Sequence, residues 1–277
     1  VVDVGNSRMK WAVVGPRGTL AAGMVPNAEL GSLAVRDWQG VPRPARAVGV
    51  NVAGEAARVR VEGQLARWRL PMEWITATAS ACGVVNRYEQ PGQLGPDRWA
   101  ALVAARLRSL EQESEPQPVV VVNAGTAVTI DTLDAAGVFR GGMILPNMRL
   151  MMRALADNTA ALKVAPGRFA DYPTNTADAI YTGALYAVCG AIELARGRHA
   201  SGGAPIQCFI AGGAAPDLAA RLFHGGKRHI QIRRPLDVVV AHHRDVTRDV
   251  HAVAAKYLAP SNRVVGIYRP TGERAHA

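Results

Sequence analysis

One short pattern occurs twice in this chain, and the repeat restricts the folds that the sequence can adopt. Residues 1–4 form an apolar run that ends in a glycine turn, and two further strand-like runs, residues 8–14 and 19–25, follow it. The same order of runs and turns begins again at Val119, at an offset of 120 residues. A repeat of this kind predicts two similar domains, each beginning with a three-stranded antiparallel meander.

The agreement between the two copies extends to single residues. Three pairs correspond at the same offset: Asp3 with Asn123, Gly5 with Gly125, and Pro26 with Pro146. An acidic segment with two prolines, residues 111–118, separates the copies and is typical of a surface connection. We therefore expect one domain over residues 1–114, a second over residues 115–262, and a basic tail over residues 263–277.

Helical spacing of apolar residues follows each meander and predicts an α/β fold. The spacing is clear between Trp99 and Leu110 and looser between Ile180 and Ile192. Farther along, residues 206–210 form an apolar run that ends in a glycine pair, and Pro216 is expected to open a helix over residues 217–222. Strands followed by helices are typical of layered α/β domains.

Charge and cysteine content narrow the class of protein. The formal charge of +10 suits an anionic partner, but most of it lies after His224, where we expect a solvated basic tail and exposed histidines rather than a metal site. No nucleic-acid-binding motif accompanies it, so nucleic acid is not an expected partner. The three cysteines are far apart and odd in number, which argues against a disulfide framework or a zinc site and favours a reducing compartment.

Export and membrane insertion are not expected from this sequence. No apolar stretch of about twenty residues occurs, and the start does not read as a signal peptide. We expect a cytoplasmic protein with no membrane partner. Because Val1 already reads as part of a strand and no initiator Met is present, we also expect that a few residues precede it.

The first glycine turn carries groups that suit a phosphate. Backbone N–H groups around Gly5 and Asn6, with the Ser7 hydroxyl, can hold anionic oxygens, while Asp3 can hold Mg²⁺ through water and Lys10 can supply a positive charge. The second turn, Asn123-Ala-Gly-Thr126-Ala, repeats the design. Two ordinary hairpins with self-capping Asp and Asn side chains are the alternative, and the occurrence of two copies in register favours phosphate binding.

These two turns resemble the phosphate loops of the actin, sugar-kinase and Hsp70 superfamily. In that superfamily the two loops hold a nucleotide in the cleft between two actin-like, ribonuclease H-like domains. The sequence Ala211-Gly-Gly-Ala214 is similar to the adenosine segment of the same superfamily. The resemblance implies an α/β fold of two duplicated actin-like domains with an interdomain nucleotide cleft.

A third segment is more specific. The sequence Tyr88-Glu-Gln-Pro-Gly-Gln-Leu-Gly-Pro-Asp-Arg98 places an acid and an arginine side by side before a helix, where Asp97 could also serve only as a helix cap. Together with Asp-x-Gly-Asn-Ser at the start, Gly-Thr-Ala-x-Thr-x-Asp from Gly125, and Thr-Asn-Thr-Ala-Asp-Ala-Ile from Thr174, it closely resembles the type III pantothenate kinase family. The resemblance extends to about Gly213.

The resemblance implies transfer of the γ-phosphate of ATP to the primary hydroxyl of pantothenate, the first step of coenzyme A synthesis. It implies a homodimer that needs Mg²⁺ and a monovalent cation, potassium or ammonium, with Asp97 as the catalytic residue. It assigns ATP binding to Asp3, Gly5, Asn6, Ser7, Lys10 and Thr126. It assigns pantothenate binding to Tyr88, Gly95, Pro96, Asp97, Arg98 and Thr176. Thr176 could come from the same protomer or from the other one.

Two departures from the family pattern leave alternatives open. Many members carry Asp where this chain has Asn123, so its monovalent cation site is expected to be weak, to prefer ammonium, or to be absent. After about Gly225 the family's closing helix is not recognisable, although residues 238–258 could form a helix. The alternatives are a regulatory accessory factor for transcription on the same scaffold, or another small-molecule kinase or phosphatase of the superfamily.

Overall fold

The computed structural model describes residues 1–15, 18–112, 116–158, 165–198, 206–222 and 231–233. These residues form two compact units, and each is described by itself. The first comprises Val1–Pro116 with Ala135–Gly141, and the second comprises Gln117–Asp134 with Gly142–Ile232. The helix predicted over residues 238–258 and the basic tail lie outside the described residues.

A five-stranded sheet with the order β3-β2-β1-β4-β5 forms the centre of the first unit. Strand β1 is antiparallel to β2 and parallel to β4, so its carboxyl end lies beside that of β4. The strands are β1 (Val2–Val4), β2 (Arg8–Gly15), β3 (Gly18–Pro26), β4 (Ala47–Asn51), β5 (Met72–Trp74), and the small hairpin β6 (Ser80–Ala81) and β7 (Val84–Val85). The helices are α1 (Glu55–Leu65) and α2 (Pro96–Gln112).

The second sheet has the equivalent order, β10-β9-β8-β11-β12. Strand β8 is antiparallel to β9 and parallel to β11, as β1 is to β2 and β4. The strands are β8 (Val119–Ala124), β9 (Ala127–Leu133), β10 (Phe139–Pro146), β11 (Gln207–Ala211) and β12 (Gln231–Arg233). The helices are α3 (Met148–Asp157), α4 (Thr176–Gly197) and α5 (Ala215–Leu222).

Both predicted meanders are present, but their registers differ by one residue. Asp3 pairs with Lys10 across β1 and β2. A strict offset of 120 would pair Asn123 with Ile130, whereas Asn123 pairs with Thr129. The second turn is tighter, because the Gly125 N–H donates to the carbonyl of Ala127, two residues on, while the Gly5 N–H donates to Arg8, three residues on.

The predicted helices are also present, with starts explained by local chemistry. Helix α2 begins at Pro96, whose fixed φ and missing N–H suit the first helical position. Helix α4 begins at Thr176 after its cap Asn175, whose Oδ1 accepts from the Asp178 N–H at 2.9 Å. Helix α5 begins at Ala215, two residues before the predicted start, so Pro216 lies in its first turn.

Several elements were not predicted from the sequence, and α1 shows why. Its buried residues are only Ala57, Val61 and Leu65, one per turn, among charged neighbours. Such a narrow apolar stripe gives little periodic signal. Helix α3 and strands β4 and β5 were missed as well, the last because three residues are too few for a pattern.

Each unit has its own apolar core. In the second unit, valines of β8 pack with Val188 and Ile192 of α4. In the first unit three indole rings lie together: Trp38 stacks on Trp68 at 5.1 Å between centroids and meets Trp11 edge-on at 6.2 Å. No described helix combines the length and apolar character needed to cross a bilayer. All three cysteines are free, with Cys82 exposed and the other two buried.

The indole cluster gives a prediction about stability. Trp38 is 3% exposed, so Trp38→Ala leaves a cavity between the other two rings and should lower the free energy of unfolding by about 3–5 kcal/mol. The control is Val35→Ala in the same segment, where Val35 is 73% exposed and the change should stay within about 0.5 kcal/mol. Urea unfolding followed by circular dichroism measures both, and equal midpoints for the two variants would contradict the packing described.

Candidate active site

The first phosphate-type turn lies at the carboxyl end of β1. The Gly5 N–H donates to the Arg8 carbonyl at 3.1 Å, which closes the turn and leaves Asn6 and Ser7 exposed. A side chain at Gly5 would approach the Arg8 carbonyl oxygen to 3.3 Å, so the turn has little room for any other residue. The turn therefore presents small polar groups and backbone amides to solvent.

Two opposite charges flank this turn. Asp3 and Lys10 are cross-strand partners, and Lys10 Nζ donates to Asp3 Oδ2 at 3.0 Å. The Asp3 side chain is only 10% exposed, against 30% for Lys10. A carboxylate at such a position needs a partner, and Lys10 offsets the cost of keeping it charged.

Asp97 lies in the first turn of α2. Its Oδ1 accepts a hydrogen bond from the Arg98 backbone N–H at 2.8 Å. Burial raises the pKa of the Asp97 carboxyl, and the negative charge of Asp3 raises that pKa further, while the bond from the Arg98 N–H acts in the opposite direction. Asp3 and Asp97 thus lie within electrostatic reach of each other in the first unit.

The residue before this helix is fitted to Asp97. A Cβ at Gly95 would lie 2.8 Å from Asp97 Oδ1, so only glycine leaves the carboxylate its place. The Gly95 carbonyl accepts the Trp99 N–H at 2.9 Å, which starts the helical ladder. Pro96 stands between them as the first helical residue.

A second group consists of Tyr88 and Arg98, and Arg98 directly follows Asp97 in the sequence. The Arg98 guanidinium carbon lies 5.9 Å from the centroid of the Tyr88 ring, within cation–π range, and the Arg98 residue is 6% exposed. Tyr88 also stacks against Phe139, with 6.2 Å between the ring centroids and an interplanar angle of 23°. Phe139 belongs to the first unit through the segment Ala135–Gly141.

The loop that carries Tyr88 is held by Asn86, which was not singled out from the sequence. Asn86 Nδ2 donates to the carbonyls of Thr78 and Pro91, both at 3.1 Å, and its Oδ1 accepts the Tyr88 N–H at 3.0 Å. The residue is 5% exposed. The sequence from Asn86 to Tyr88 could have suggested that Asn86 organises a turn. Its other partners, Thr78 eight residues earlier and Pro91 five residues later, could not be inferred from the sequence.

The second phosphate-type turn lies at the carboxyl end of β8. Gly125 and Thr126 are exposed in it, and β9 begins directly after it at Ala127. Asn123 is half-buried near the end of β8, with Thr129 as its cross-strand partner. This turn therefore offers neutral oxygens and amides where the first turn offers an ion pair.

The glycine pair after β11 packs on the second turn. Gly212 has φ +102°, and a Cβ there would lie 2.3 Å from the Ala124 carbonyl oxygen, so this position requires glycine. The Ala214 N–H donates to the same carbonyl at 3.3 Å. The predicted adenosine segment and the second phosphate turn are thus neighbours within the second unit.

Thr176 lies in an open groove of the second unit between α3 and α4. The groove has a volume of about 930 Å³. Its walls are mainly apolar, with Met151 and Leu155 from α3 and Ile180 from α4, and Thr174, Asn175 and Thr176 line one side. The groove can accept an apolar chain or surface with a few polar groups at its edge.

The described residues contain no group of three His, Cys, Asp or Glu side chains that could form a metal site. Mg²⁺ in phosphotransferases is commonly bound by one or two carboxylates together with substrate phosphates and water. Asp3, close to a second carboxylate, fits this mode, and Asn123 can contribute an amide oxygen to a monovalent cation. The residues present fit a metal that arrives with a nucleotide.

The chain is similar to known proteins over most of its length. Residues 1–196 match the type III pantothenate kinase family. A type III pantothenate kinase of Paracidovorax citrulli is 40% identical over 243 residues, which cover 86% of this chain and 91% of the relative. Another of that name, from Aromatoleum aromaticum, is 44% identical over 79% of this chain and 87% of the relative.

Solved structures support the fold. A protein of Sinorhizobium meliloti assigned as a 2-dehydro-3-deoxygalactonokinase aligns with a TM-score of 0.53 at 14% identity, covering 92% of this chain and 96% of that one. A Campylobacter jejuni protein assigned to the Baf family of transcriptional activators gives a TM-score of 0.50 at 20% identity, with 80% and 87% covered. The predicted α/β, actin-like fold class is confirmed. With its family match over residues 1–196 and relatives at about 40% identity, this chain belongs to the type III pantothenate kinase family.

Proposed function

We propose that this protein transfers the γ-phosphate of ATP to the primary hydroxyl of pantothenate, giving 4'-phosphopantothenate for coenzyme A synthesis. The observation that carries the proposal is the placement of Asp97, a partly buried carboxylate with a raised pKa, within electrostatic reach of Asp3 beside a phosphate-type turn. Membership of the type III pantothenate kinase family supports the choice of substrate.

The nucleotide would be held chiefly by backbone amides. Gly5, Asn6 and Ser7 in the first unit, and Thr126 in the second, stand in tight turns of the kind that bind phosphate oxygens. Lys10 would share its charge between Asp3 and the phosphates. Phosphoryl transfer depends mainly on such positioning and charge stabilisation, because the transition state spreads charge over the transferred oxygens.

Asp97 would accept the proton of the pantothenate hydroxyl, or orient that hydroxyl for in-line attack. A carboxylate whose pKa is raised by burial is a better base than an exposed one. The bond from the Arg98 N–H to Oδ1 fixes the carboxylate and leaves Oδ2 for the hydroxyl.

Pantothenate would bind beside Tyr88 and residues 95–98. Arg98 supplies a positive charge for the pantothenate carboxylate, and Tyr88 supplies a flat apolar wall that Phe139 supports. Gly95 and Pro96 shape the backbone beside Asp97. Thr176, which lines the groove of the second unit, would contribute its hydroxyl from the other protomer.

Two cations are part of the proposal. Mg²⁺ would bridge phosphate oxygens of ATP and offset their charge, with Asp3 holding it through water. A monovalent cation, potassium or ammonium, would use the amide oxygen of Asn123. Since an amide brings no negative charge, this site should be weaker than one built on a carboxylate.

We also propose that the protein acts as a homodimer in the cytoplasm. The groove between α3 and α4 is apolar and open, and Leu155 on its wall is 44% exposed, which suits cover by a second copy. A second copy would place Thr176 of one protomer near the substrate of the other. The three free thiols are compatible with a reducing compartment.

Substitution of Asp97 tests the reaction. Asp97→Asn keeps the size of the side chain and an oxygen for the Arg98 N–H, but removes the base, so pantothenate-dependent release of ADP should fall by about 10²–10⁴-fold. Glu89→Gln, an exposed carboxylate of the same loop, is the control and should keep wild-type turnover. The assay is run with ATP and Mg²⁺, with potassium, ammonium or neither. Near-normal turnover in Asp97→Asn would remove Asp97 from its assigned role.

The raised pKa of Asp97 predicts a pH dependence. The base must be deprotonated, so kcat/KM should fall on acidification through a pKa above the ordinary carboxyl value of 3.8. Asp3→Asn removes a like charge, which lowers the pKa of Asp97, so this limb should move to lower pH even though the maximal rate falls. Profiles of wild type, Asp3→Asn and Glu89→Gln test this, and an unmoved limb in Asp3→Asn would refute the coupling.

A charge in the groove tests the dimer. Wild type should have a solution mass near twice its chain mass of 29.4 kDa, and Leu155→Glu should shift the mass toward the monomer. Leu194→Glu is the control, because Leu194 is 54% exposed on α4 but does not line the groove. Light scattering after gel filtration measures the masses, and a dimeric Leu155→Glu would place the interface elsewhere.

A further inference from the structure

The first phosphate turn is held by an asparagine that follows the end of β3. Asn27 directly follows Pro26, the last residue of β3. Its Nδ2 donates to the carbonyl of Gly5 at 2.8 Å and to that of Asn6 at 3.0 Å, and its backbone N–H donates to the Ser7 carbonyl at 3.2 Å. One residue therefore binds three consecutive carbonyls of the turn.

The second turn is held in the same way. Asn147 directly follows Pro146, the last residue of β10, and its Nδ2 donates to the Gly125 carbonyl at 2.8 Å. Its Oδ1 accepts the Leu150 N–H at 2.8 Å and so caps α3. We call Asn27 and Asn147 the turn asparagines.

The two contacts are equivalent in sequence as well as in geometry. The turn asparagines are 120 residues apart, and so are the glycines that they hold, Gly5 and Gly125. The equivalence persists although the registers of the two meanders differ by one residue in between. Because the same contact is present in both units despite their different registers, we infer that both turns require it.

Holding a carbonyl also orients an amide. In a planar trans peptide group the C=O and the following N–H point in opposite directions. The bond from Asn27 to the Gly5 carbonyl therefore turns the Asn6 N–H away from Asn27, and the bond to the Asn6 carbonyl does the same for the Ser7 N–H. In the second turn the bond from Asn147 directs the Thr126 N–H.

We propose that Asn27 and Asn147 are positioning residues that aim the amides of the two phosphate turns at the nucleotide without touching it. The proposal rests on the proposed function, in which these amides bind phosphate oxygens. The Oδ1 atom of Asn27 is buried and has no hydrogen-bond partner among the described residues, so the hydrogen bonds of this side chain all go to the turn. An unoriented turn would have to be ordered when the nucleotide binds, at a cost in affinity.

The alternative is that the turn asparagines serve folding alone, Asn147 as a helix cap. The variant Asn147→Asp separates the two roles. Aspartate caps a helix as well as asparagine does, so α3 keeps its N-terminus, but the carboxylate cannot donate to the Gly125 carbonyl. Asn27→Asp removes the donor from the first turn in the same way.

The control loses a bond of the same kind elsewhere. Asn158 follows the other end of α3, and its Nδ2 donates to the Ala154 carbonyl at 2.8 Å. Asn158→Asp therefore removes an amide donor from a backbone carbonyl on the same helix, at the end opposite Asn147. It shows the effect of the chemical change without the effect on the turn.

The experiment measures the dissociation constants of Mg·ATP and Mg·ADP by calorimetry, and KM values for ATP and pantothenate, in the full-length protein. We expect Asn147→Asp, which loses one hydrogen bond to its turn, to weaken nucleotide binding about tenfold. Asn27→Asp loses two such bonds and should weaken binding at least as much. KM for pantothenate should change less than about twofold, and Asn158→Asp should match wild type in all values. Thermal unfolding without nucleotide should be unchanged in Asn147→Asp.

The outcomes distinguish this proposal from the proposed function. Wild type that binds Mg·ATP but does not phosphorylate pantothenate would refute the proposed function, while the binding constants of the variants would still decide the role of the turn asparagines. Nucleotide affinity within twofold of wild type in both variants would overturn the positioning role. An equal rise in KM for ATP and for pantothenate, together with lower thermal stability, would also overturn it. A wild-type protein that binds no nucleotide would overturn it as well.

Discussion

The parallel pairing of β1 with β4, and of β8 with β11, determines where chemistry can occur in this chain. Parallel strands bring their carboxyl ends to one edge of a sheet, and ligands of open α/β sheets bind outside those ends. Each of these central strands also has an antiparallel neighbour, so a tight turn must lie at the same edge. The turns at Gly5 and Gly125, and the positive-φ glycine Gly212 that follows β11, all lie at these edges.

Charge at the first edge is balanced at some cost. Two carboxylates lie there, Asp3 and Asp97, and their mutual repulsion with burial raises the pKa of Asp97. Lys10 offsets the charge of Asp3, and the Arg98 N–H at the start of α2 favours the ionised Asp97. The balance pairs Asp3 with Lys10 and leaves Asp97 outside that pair, which suits the proposed roles of Asp97 as proton acceptor and Asp3 as a metal ligand through water.

Much of this arrangement could be predicted from the sequence, because it is encoded locally. Glycine turns between apolar runs predicted both meanders, and the spacing of Leu102 and Val103 around Trp99 predicted α2. Asp3, Lys10 and Asp97 were predicted to be site residues from their place in recognisable motifs. These charged residues and glycine turns could be recognised without any knowledge of contacts between distant segments.

What could not be predicted depends on contacts between distant segments. Asn27 reaches back 22 residues to Gly5, and Phe139 supports Tyr88 from a segment 51 residues later. Helix α1 has only one buried residue per turn, so its stability comes from tertiary packing rather than from a visible pattern. The register of the second meander could not be predicted either, because its shorter turn depends on backbone hydrogen bonds and not on composition.

The register difference has a chemical consequence that bears on the two cations. In the first meander Asp3 faces Lys10, whose charge weakens direct binding of a cation to the carboxylate, so the proposed Mg²⁺ would be held through water and by the nucleotide phosphates. In the second, the shift of one residue makes Thr129 rather than Ile130 the partner of Asn123. An amide and a hydroxyl oxygen on one face, with no lysine opposite, suit a weakly held monovalent cation better than a divalent one. A strict repeat of the first register would have left Asn123 beside an apolar side chain, without that second oxygen.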